Sequence, residues 1–480
     1  MHDRLDEPVG CARDEPAAGG RALAVAGITL VGYAALCKAL LFRDLEYTGS
    51  DLYSCLDMSR SWFYYGRLLH DNAYGNAGAI HNFYLLLAFS PLTLPLGAYG
   101  LFVGLVALEA LAVARVSLSR ALDPPGRAAV LAGLLSPLAF YVFDDRVWGF
   151  HPELCYPPLA VLFALALVEG RRGRAILAGA AIVLVKEDGA LVCAGVLAAY
   201  FALRLWAARG GPPAGRRAIA SQAVASLAAA GLAFVAGVAV LWWTSLAAPA
   251  EQTTASERLG RAVGILARTL GPAAPASRQA ALGELLAGYG VLCLLLLLPL
   301  AVRIGSGFAL LLVSAPPLVT TLVVSDAQYK FATPLWAPRA ATLMALAVAC
   351  VAVAGAGSPA RRAGWSISWV TALALLSWGL QLLMLARLDY RLFERIDARA
   401  LWSGHGYAVS SLPAEELRWW RCLGERLPAG LPVSPVSELY PFFHRQTIVF
   451  QGLEQHAVQP ARLRVTRGSA QVAASLDGAL

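Results

Sequence analysis

Apolar stretches long enough to cross a bilayer recur along most of this chain. A hydrocarbon core of about 30 Å takes about twenty apolar residues in helical form. Inside that core every backbone N–H and C=O must find a partner within the protein, so a chain with runs of this length spans as helices. Of 480 residues, 58% are hydrophobic and 15% charged, with a mean hydropathy of +0.59, well outside the range of soluble domains. The expected fold class is an all-α polytopic membrane protein. Read by apolar length, spans fall near 21–42, 99–118, 128–143, 153–169, 175–186, 189–206, 218–245, 286–302, 306–324, 334–356 and 365–386, about 11 transmembrane helices in all. The eight Cys are scattered without CxxC spacing and mostly sit in apolar runs, where Cys behaves as a small hydrophobe.

The net charge of +8 informs through its distribution. Arg115, Arg120 and Arg127 flank one loop, Arg171, Arg172 and Arg174 the next, and Arg204, Arg209, Arg216 and Arg217 the one after; Arg303, Arg361 and Arg362 complete the series. All fall on one side if residues 81–97 do not span, and the positive-inside rule makes that side the cytoplasm. The 81–97 stretch, cut by Pro91 and Pro95, is read as a juxtamembrane helix along or dipping into the outer surface. Three regions follow: a cytoplasmic tail over 1–20, without the layout of a cleaved signal peptide; a helical domain over 21–386 with an outer first loop at 43–81; and an extracytoplasmic domain over 387–480. The last is polar and reads as a small α/β unit, with a helix at 413–426, strand-like runs at 431–436 and 447–451, and a loosely ordered tail beyond about Arg462.

On this topology the polar clusters converge on the outer face. The first loop holds Asp44, Glu46, Asp51, Asp57, Asp71 and His81. A second cluster runs Phe143-Asp144-Asp145-Arg146-Val147-Trp148-Gly149-Phe150-His151-Pro152-Glu153, and a third is Lys186-Glu187-Asp188 at the tip of a short broken hairpin. Ser325-Asp326-Ala327-Gln328-Tyr329-Lys330 makes a fourth. Ionisable groups gathered at the ends of membrane spans mark a functional site by default. The chain has only three Lys, at 38, 186 and 330, against 36 Arg, so a Lys inside such a cluster stands out.

Each residue also has a plain structural role open to it. Asp51 in Thr48-Gly49-Ser50-Asp51 suits a turn or cap. Pro152 and Glu153 suit the first turn of a helix, and Asp144 with Asp145 suits a solvated helix end. Glu187 and Asp188 serve to neutralise Lys186, and His70, His405 and His456 read as surface histidines. No HExxH-like ligand spacing, Gly-rich phosphate loop or nucleophile elbow is present.

Tyr53 shortly after Asp51, His81-Asn82-Phe83 opening an apolar segment, Phe150-His151-Pro152-Glu153 and Val185-Lys186-Glu187-Asp188-Gly189-Ala190 together carry a resemblance. The chain resembles, over about residues 45–455, a family of bacterial and archaeal membrane proteins catalogued as a domain of unknown function. Gln328-Tyr329 and Pro432-Val433-Ser434-Pro435-Val436-Ser437 followed by His444-Arg445 are similar to that family's later features, whereas the first loop here is longer and more divergent. The layout is in turn similar to that of the C-type glycosyltransferases, which use polyprenyl-phosphate sugars.

That likeness implies transfer of a sugar from a lipid-linked donor to an unidentified acceptor at the outer face. It makes Asp51 the base for the acceptor hydroxyl, with Arg146 and Lys186 holding the leaving phosphate. His81, Asp144, Asp145, His151, Glu153, Glu187, Asp188 and Tyr329 would then bind substrate, the acids through sugar hydroxyls or a divalent cation that nothing in the sequence requires. The partners expected are the bilayer and the lipid-linked donor, with no nucleic acid. A transporter or flippase with an outward polar cavity is the rival, in which Lys186-Glu187-Asp188 and His151 bind solute or relay protons. Against it, the chain shows no repeated halves.

Overall fold

The first helix, α1 (Ala18–Arg43), keeps its apolar character for 26 residues and closes on Arg43, where a cation complements the carbonyl end of the helix dipole. Helix α2 (Ser50–Tyr65) differs in kind. Its polar and apolar residues alternate at helical spacing, and Asp51 stands in its first turn. The computed structural model describes residues 18–43, 50–72, 75–144, 149–246, 260, 344–345, 348–349, 352, 367–387, 414–435, 437–449 and 461–465. Over these the protein is mostly helical, with a few small strands.

After α2 a short antiparallel hairpin pairs β1 (His70–Asp71) with β2 (Gly75–Asn76). A 3₁₀ turn at Tyr84–Phe89 then leads into α3 (Ser90–Leu96), whose Pro91 at the start and Pro95 inside keep the stretch from forming one straight helix. Gly97 reverses the chain with φ +59, a left-handed value open to glycine at little cost. Next come α4 (Ala98–Leu118), α5 (Pro124–Leu134) and α6 (Pro137–Asp144). The apolar run at 128–143 is thus broken into two helices: Pro137 disfavours helical geometry at Ser136, and the backbone turns there.

A 3₁₀ turn at Pro152–Cys155 opens α7 (Tyr156–Val168), which packs antiparallel to α8 (Arg172–Val185), followed by α9 (Gly189–Ala207) and α10 (Pro213–Leu246). Helix α11 (Ile367–Arg387) packs on α5, where Trp378 Nε1 donates to the Ala132 carbonyl at 2.8 Å. Among the described residues four helices are long and apolar enough to cross a membrane: Gly19–Arg43, Ala98–Leu118, Gly189–Gly210 and Pro213–Thr244. Three more apolar helices, Tyr84–Leu96, Pro152–Val168 and Ser368–Leu383, are shorter. The spans expected near 286–302 and 306–324, and nearly all of 334–356, lie outside the described residues.

Beyond the bundle, α12 (Ala414–Arg426) has Glu415 and Glu416 in its first turn and Arg426 in its last, the arrangement its dipole favours. It precedes a parallel sheet in which β3 (Pro432–Pro435) lies between β4 (Thr447–Ile448) and β5 (Leu463–Val465). The tail expected to be loose beyond Arg462 therefore supplies a strand. Its three residues align with Val433, Ser434 and Pro435, so ladder hydrogen bonds hold a segment whose composition alone suggests little order.

The amphipathic helix α2 joins this unit to the bundle. Arg60, 1% exposed, donates to the carbonyls of His444 at 3.2 Å and Gln446 at 3.1 Å. Tyr53 meets Tyr440 edge-on at 5.3 Å, and the His444 ring sits edge-on to Phe42 and Tyr99. A Cβ at Gly97 would lie 2.2 Å from His444 Nδ1, so only glycine lets the imidazole seat there.

Candidate functional site

A cavity of about 240 Å³ opens where α2, the 77–83 turn, the Pro152–Cys155 turn and the α8–α9 turn meet. Helix α2 contributes Asp51, Ser54, Cys55 and Met58, spaced i, i+3, i+4 and i+7, which puts them on one face. Ala77, Ile80, His81 and Phe83 form a second wall, His151 and Glu153 a third, and Lys186 closes the fourth. Cys55, Met58, Ala77, Ile80 and Phe83 are its apolar lining, and Asp51, His81, His151, Glu153 and Lys186 its ionisable lining.

Each polar side chain is held by how its segment folds. His151 has extended backbone (φ −135, ψ 148) immediately before the 3₁₀ turn, with Pro152 at the first position and Glu153 in the first turn. The extended residue aims its ring sideways, and its Nε2 lies 3.0 Å from Asp51 Oδ2, with the imidazole N–H as donor. Lys186 leaves the end of α8 in extended geometry (φ −165, ψ 169), and Gly189 N–H closes the turn on the Lys186 carbonyl at 2.9 Å. A Cβ at Gly189 would fall 2.1 Å from the Ile182 carbonyl oxygen, so the close approach of α9 to α8 requires glycine.

Lys186 Nζ donates to Glu153 Oε1 at 2.8 Å, and the Glu153 side chain is 2% exposed. The two sequence clusters, 33 positions apart, thus share one ion pair. Glu187 turns to the first loop instead. Its Oε1 is 2.8 Å from His81 Nδ1, and its Oε2 accepts from the Asn82 backbone N–H at 3.3 Å. Burial pushes the Glu187 carboxyl up, but His81 and then Lys186 outweigh it and hold the group at about 2. Asp188 behaves oppositely: burial lifts it to about 6 against the pull of Lys186, and Tyr156 donates its hydroxyl to the carboxylate. Helix α10 fixes the 77–82 turn from outside, through Thr244 Oγ1 to the Gly78 carbonyl at 2.9 Å and Asn82 Nδ2 to the Gly237 carbonyl at 2.7 Å.

Of the residues expected from the sequence, Asp51, His81, His151, Glu153 and Lys186 line the cavity. Glu187 stands behind His81, and Asp188 is engaged by Tyr156. Asp144 ends α6 away from the lining, where its backbone carbonyl accepts from Lys38. Asp145, Arg146 and Tyr329 lie outside the described residues. Ser54, Cys55 and Met58 were not singled out in the sequence; their helical spacing from Asp51 was the available signal, and it needed α2 to be recognised as a helix.

Chemically the site offers a carboxylate with an imidazole donor, a second imidazole and an ammonium, among apolar side chains. Among the described residues no group of three or more His, Cys, Asp and Glu could hold a metal ion. The cavity is smaller than the roughly 300–1,000 Å³ of pockets for drug-sized ligands, and suits one small polar unit with an apolar neighbour. Comparison with protein-family models, with curated proteins and with solved structures returns no match.

Proposed function

We propose that this protein is a membrane glycosyltransferase of C-type layout, which moves a sugar from a polyprenyl-phosphate donor to an acceptor on the outer face of the membrane. The single observation carrying this reading is the Asp51–His151 pair, 3.0 Å apart, on the wall of a cavity that also presents Lys186 and His81. A glycosyl transfer at a lipid surface needs three things: a base for the acceptor hydroxyl, cationic donors for the leaving phosphate, and room for one sugar ring. Asp51 supplies the first. Lys186 supplies the second, since an ammonium has three protons to donate and Glu153 accepts one of them.

In the step proposed, the acceptor hydroxyl gives its proton to the Asp51 carboxylate as its oxygen pair forms the new bond to the sugar's anomeric carbon. The bond from that carbon to the phosphate oxygen breaks, and its electron pair leaves with the polyprenyl phosphate. Charge develops on the phosphate as the bond breaks, so a cation beside it stabilises the transition state more than the ground state. The wider arrangement belongs to the same proposal: about eleven crossings, a cytoplasmic N-terminus, and the cavity and C-terminal unit on the outer side.

The test is incubation of purified protein in proteoliposomes with a panel of radiolabelled polyprenyl-phosphate sugars. Transfer or slow release of one label, lost in Asp51→Asn, is the expected result. Absence of any donor turnover, with movement of a solute across the vesicle membrane that both Asp51→Asn and Lys186→Ala stop, would replace the reading with a transporter.

A further inference from the structure

Lys38 lies within α1, a helix otherwise suited to lipid, and it is 1% exposed. A charge inside a span is costly and is kept where it is used. Its Nζ donates to the carbonyl of Asp144 and, at 2.7 Å, to that of Gly149. The ammonium also sits 5.0 Å from the centroid of the Phe102 ring, which favours the cation.

These two carbonyls are not ordinary acceptors. Asp144 is the last residue of α6, where carbonyls lose their helical partners. Gly149 has φ +81, so its peptide belongs to no helix or strand. In an apolar bundle such groups must be satisfied from within the protein. One ammonium does this for both ends of the connection that leads into the cavity wall. Phe150 follows, 0% exposed and edge-on to Phe89 at 6.1 Å. His151 comes next, and its Nε2 meets Asp51 Oδ2. Between the Lys38 contact at Gly149 and the His151 ring there is a single residue, itself locked in the core.

We propose that Lys38 is a positioning residue for the Asp51–His151 pair: by holding the Asp144 and Gly149 carbonyls together it sets where the His151 ring stands. Only the kinetic arm of its test rests on the glycosyltransferase reading. Lys38→Met keeps the length of the side chain and removes its donors, so the His151 ring loses its register without leaving the cavity.

The experiment is a double-mutant cycle of Lys38→Met with His151→Gln, read in two ways. With a labelled donor that the wild type uses, Lys38→Met is expected to lower kcat by about 10²-fold, the scale of a misplacement near 1 Å. The KM for the donor stays near the wild-type value. The double variant should be no slower than His151→Gln alone, because residues acting through one another are not additive. Fully additive losses would overturn the proposal. The second readout needs no substrate: the rate at which a small methanethiosulfonate modifies Cys55, which lines the cavity, measured on the Cys55 peptide by mass spectrometry. Lys38→Met should change that rate, and His151→Gln should add nothing further; an unchanged rate overturns the proposal. Should the wild type use no donor, the glycosyltransferase reading falls and the Cys55 cycle decides the role of Lys38 by itself. If Lys38→Met does not fold, Lys38→Gln carries the same cycle, since its amide still donates to one carbonyl.

Discussion

Glu153 is the least exposed charge in the cavity, at 2% of its side chain, and Lys186 is the cation beside it. Removing one partner of a buried pair leaves the other charged and without compensation, which costs about 3–5 kcal/mol, whereas neutralising both costs far less. Lys186→Ala should therefore lower the unfolding temperature in detergent, and Glu153→Gln in the same chain should recover most of the loss. A Lys186→Ala defect in sugar transfer reports the ion pair before it reports the donor, so the double variant is the one to assay. Asp51 is different, being 26% exposed. Asp51→Asn preserves shape and an acceptor for His151, so it should leave stability near wild type while cutting turnover by about 10²–10⁴-fold. Equal losses of stability in both variants would mean that Asp51 is part of the packing and not of the chemistry.

At the scale of elements, α2 decides most. One face carries Asp51, Ser54, Cys55 and Met58 to the cavity; Tyr53 and Arg60 turn instead to the C-terminal unit. Arg60 bonds two carbonyls of the 444–446 segment through separate nitrogens, a geometry that a point charge on Lys does not reproduce. Both Arg60→Ala and Arg60→Lys should expose residues 414–449 to limited proteolysis of the reconstituted protein, at protease levels that leave the wild type intact. Asp57, on the same helix and hydrogen-bonded by the Tyr65 hydroxyl at 2.6 Å, adds a dependence on pH. Burial is the main cause that lifts its carboxyl from 3.8 to about 7, with Asp71 adding and Arg60, the Tyr65 hydroxyl and the Asn72 N–H opposing. The folded state then binds the proton more tightly than the unfolded chain. The stability that this brings is complete below about 4 and is lost as pH rises through about 7. Thermal unfolding followed from pH 5 to 8 should show the wild type weakening with rising pH. Asp57→Asn should flatten that profile and be the more stable of the two at pH 8. A profile that rises with pH would mean that Arg60 outweighs burial.

For the whole molecule, the testable matter is which way it faces. Four described helices are long and apolar enough to cross a membrane, and the positive-inside rule predicts that the Arg-rich loops face the cytoplasm. An alkaline-phosphatase fusion after Ala400 should be active and one after Arg216 inactive. The reverse pattern would put the cavity on the cytoplasmic side, away from the substrates proposed for it.

Composition and run length were enough to expect apolar helices of membrane-spanning length, four of which stand among the described residues, because bilayer thickness and backbone pairing leave few other solutions. His151, Glu153 and Lys186 were legible as ionisable groups gathered at the ends of apolar runs, whereas Asp51 and His81 were singled out through the family resemblance. Their pairing was not legible. That Lys186 meets Glu153 while Glu187 meets His81 depends on a glycine turn seated against Ile182 and on an extended His151 before a 3₁₀ turn. Apolar length also hid the break at Pro137, and the polar tail concealed β5, whose order comes from pairing with β3. Local sequence states what each segment can tolerate, whereas partner choice is a matter of which groups arrive within hydrogen-bond distance, and only the packed chain brings residue 51 to 151, 153 to 186 and 81 to 187.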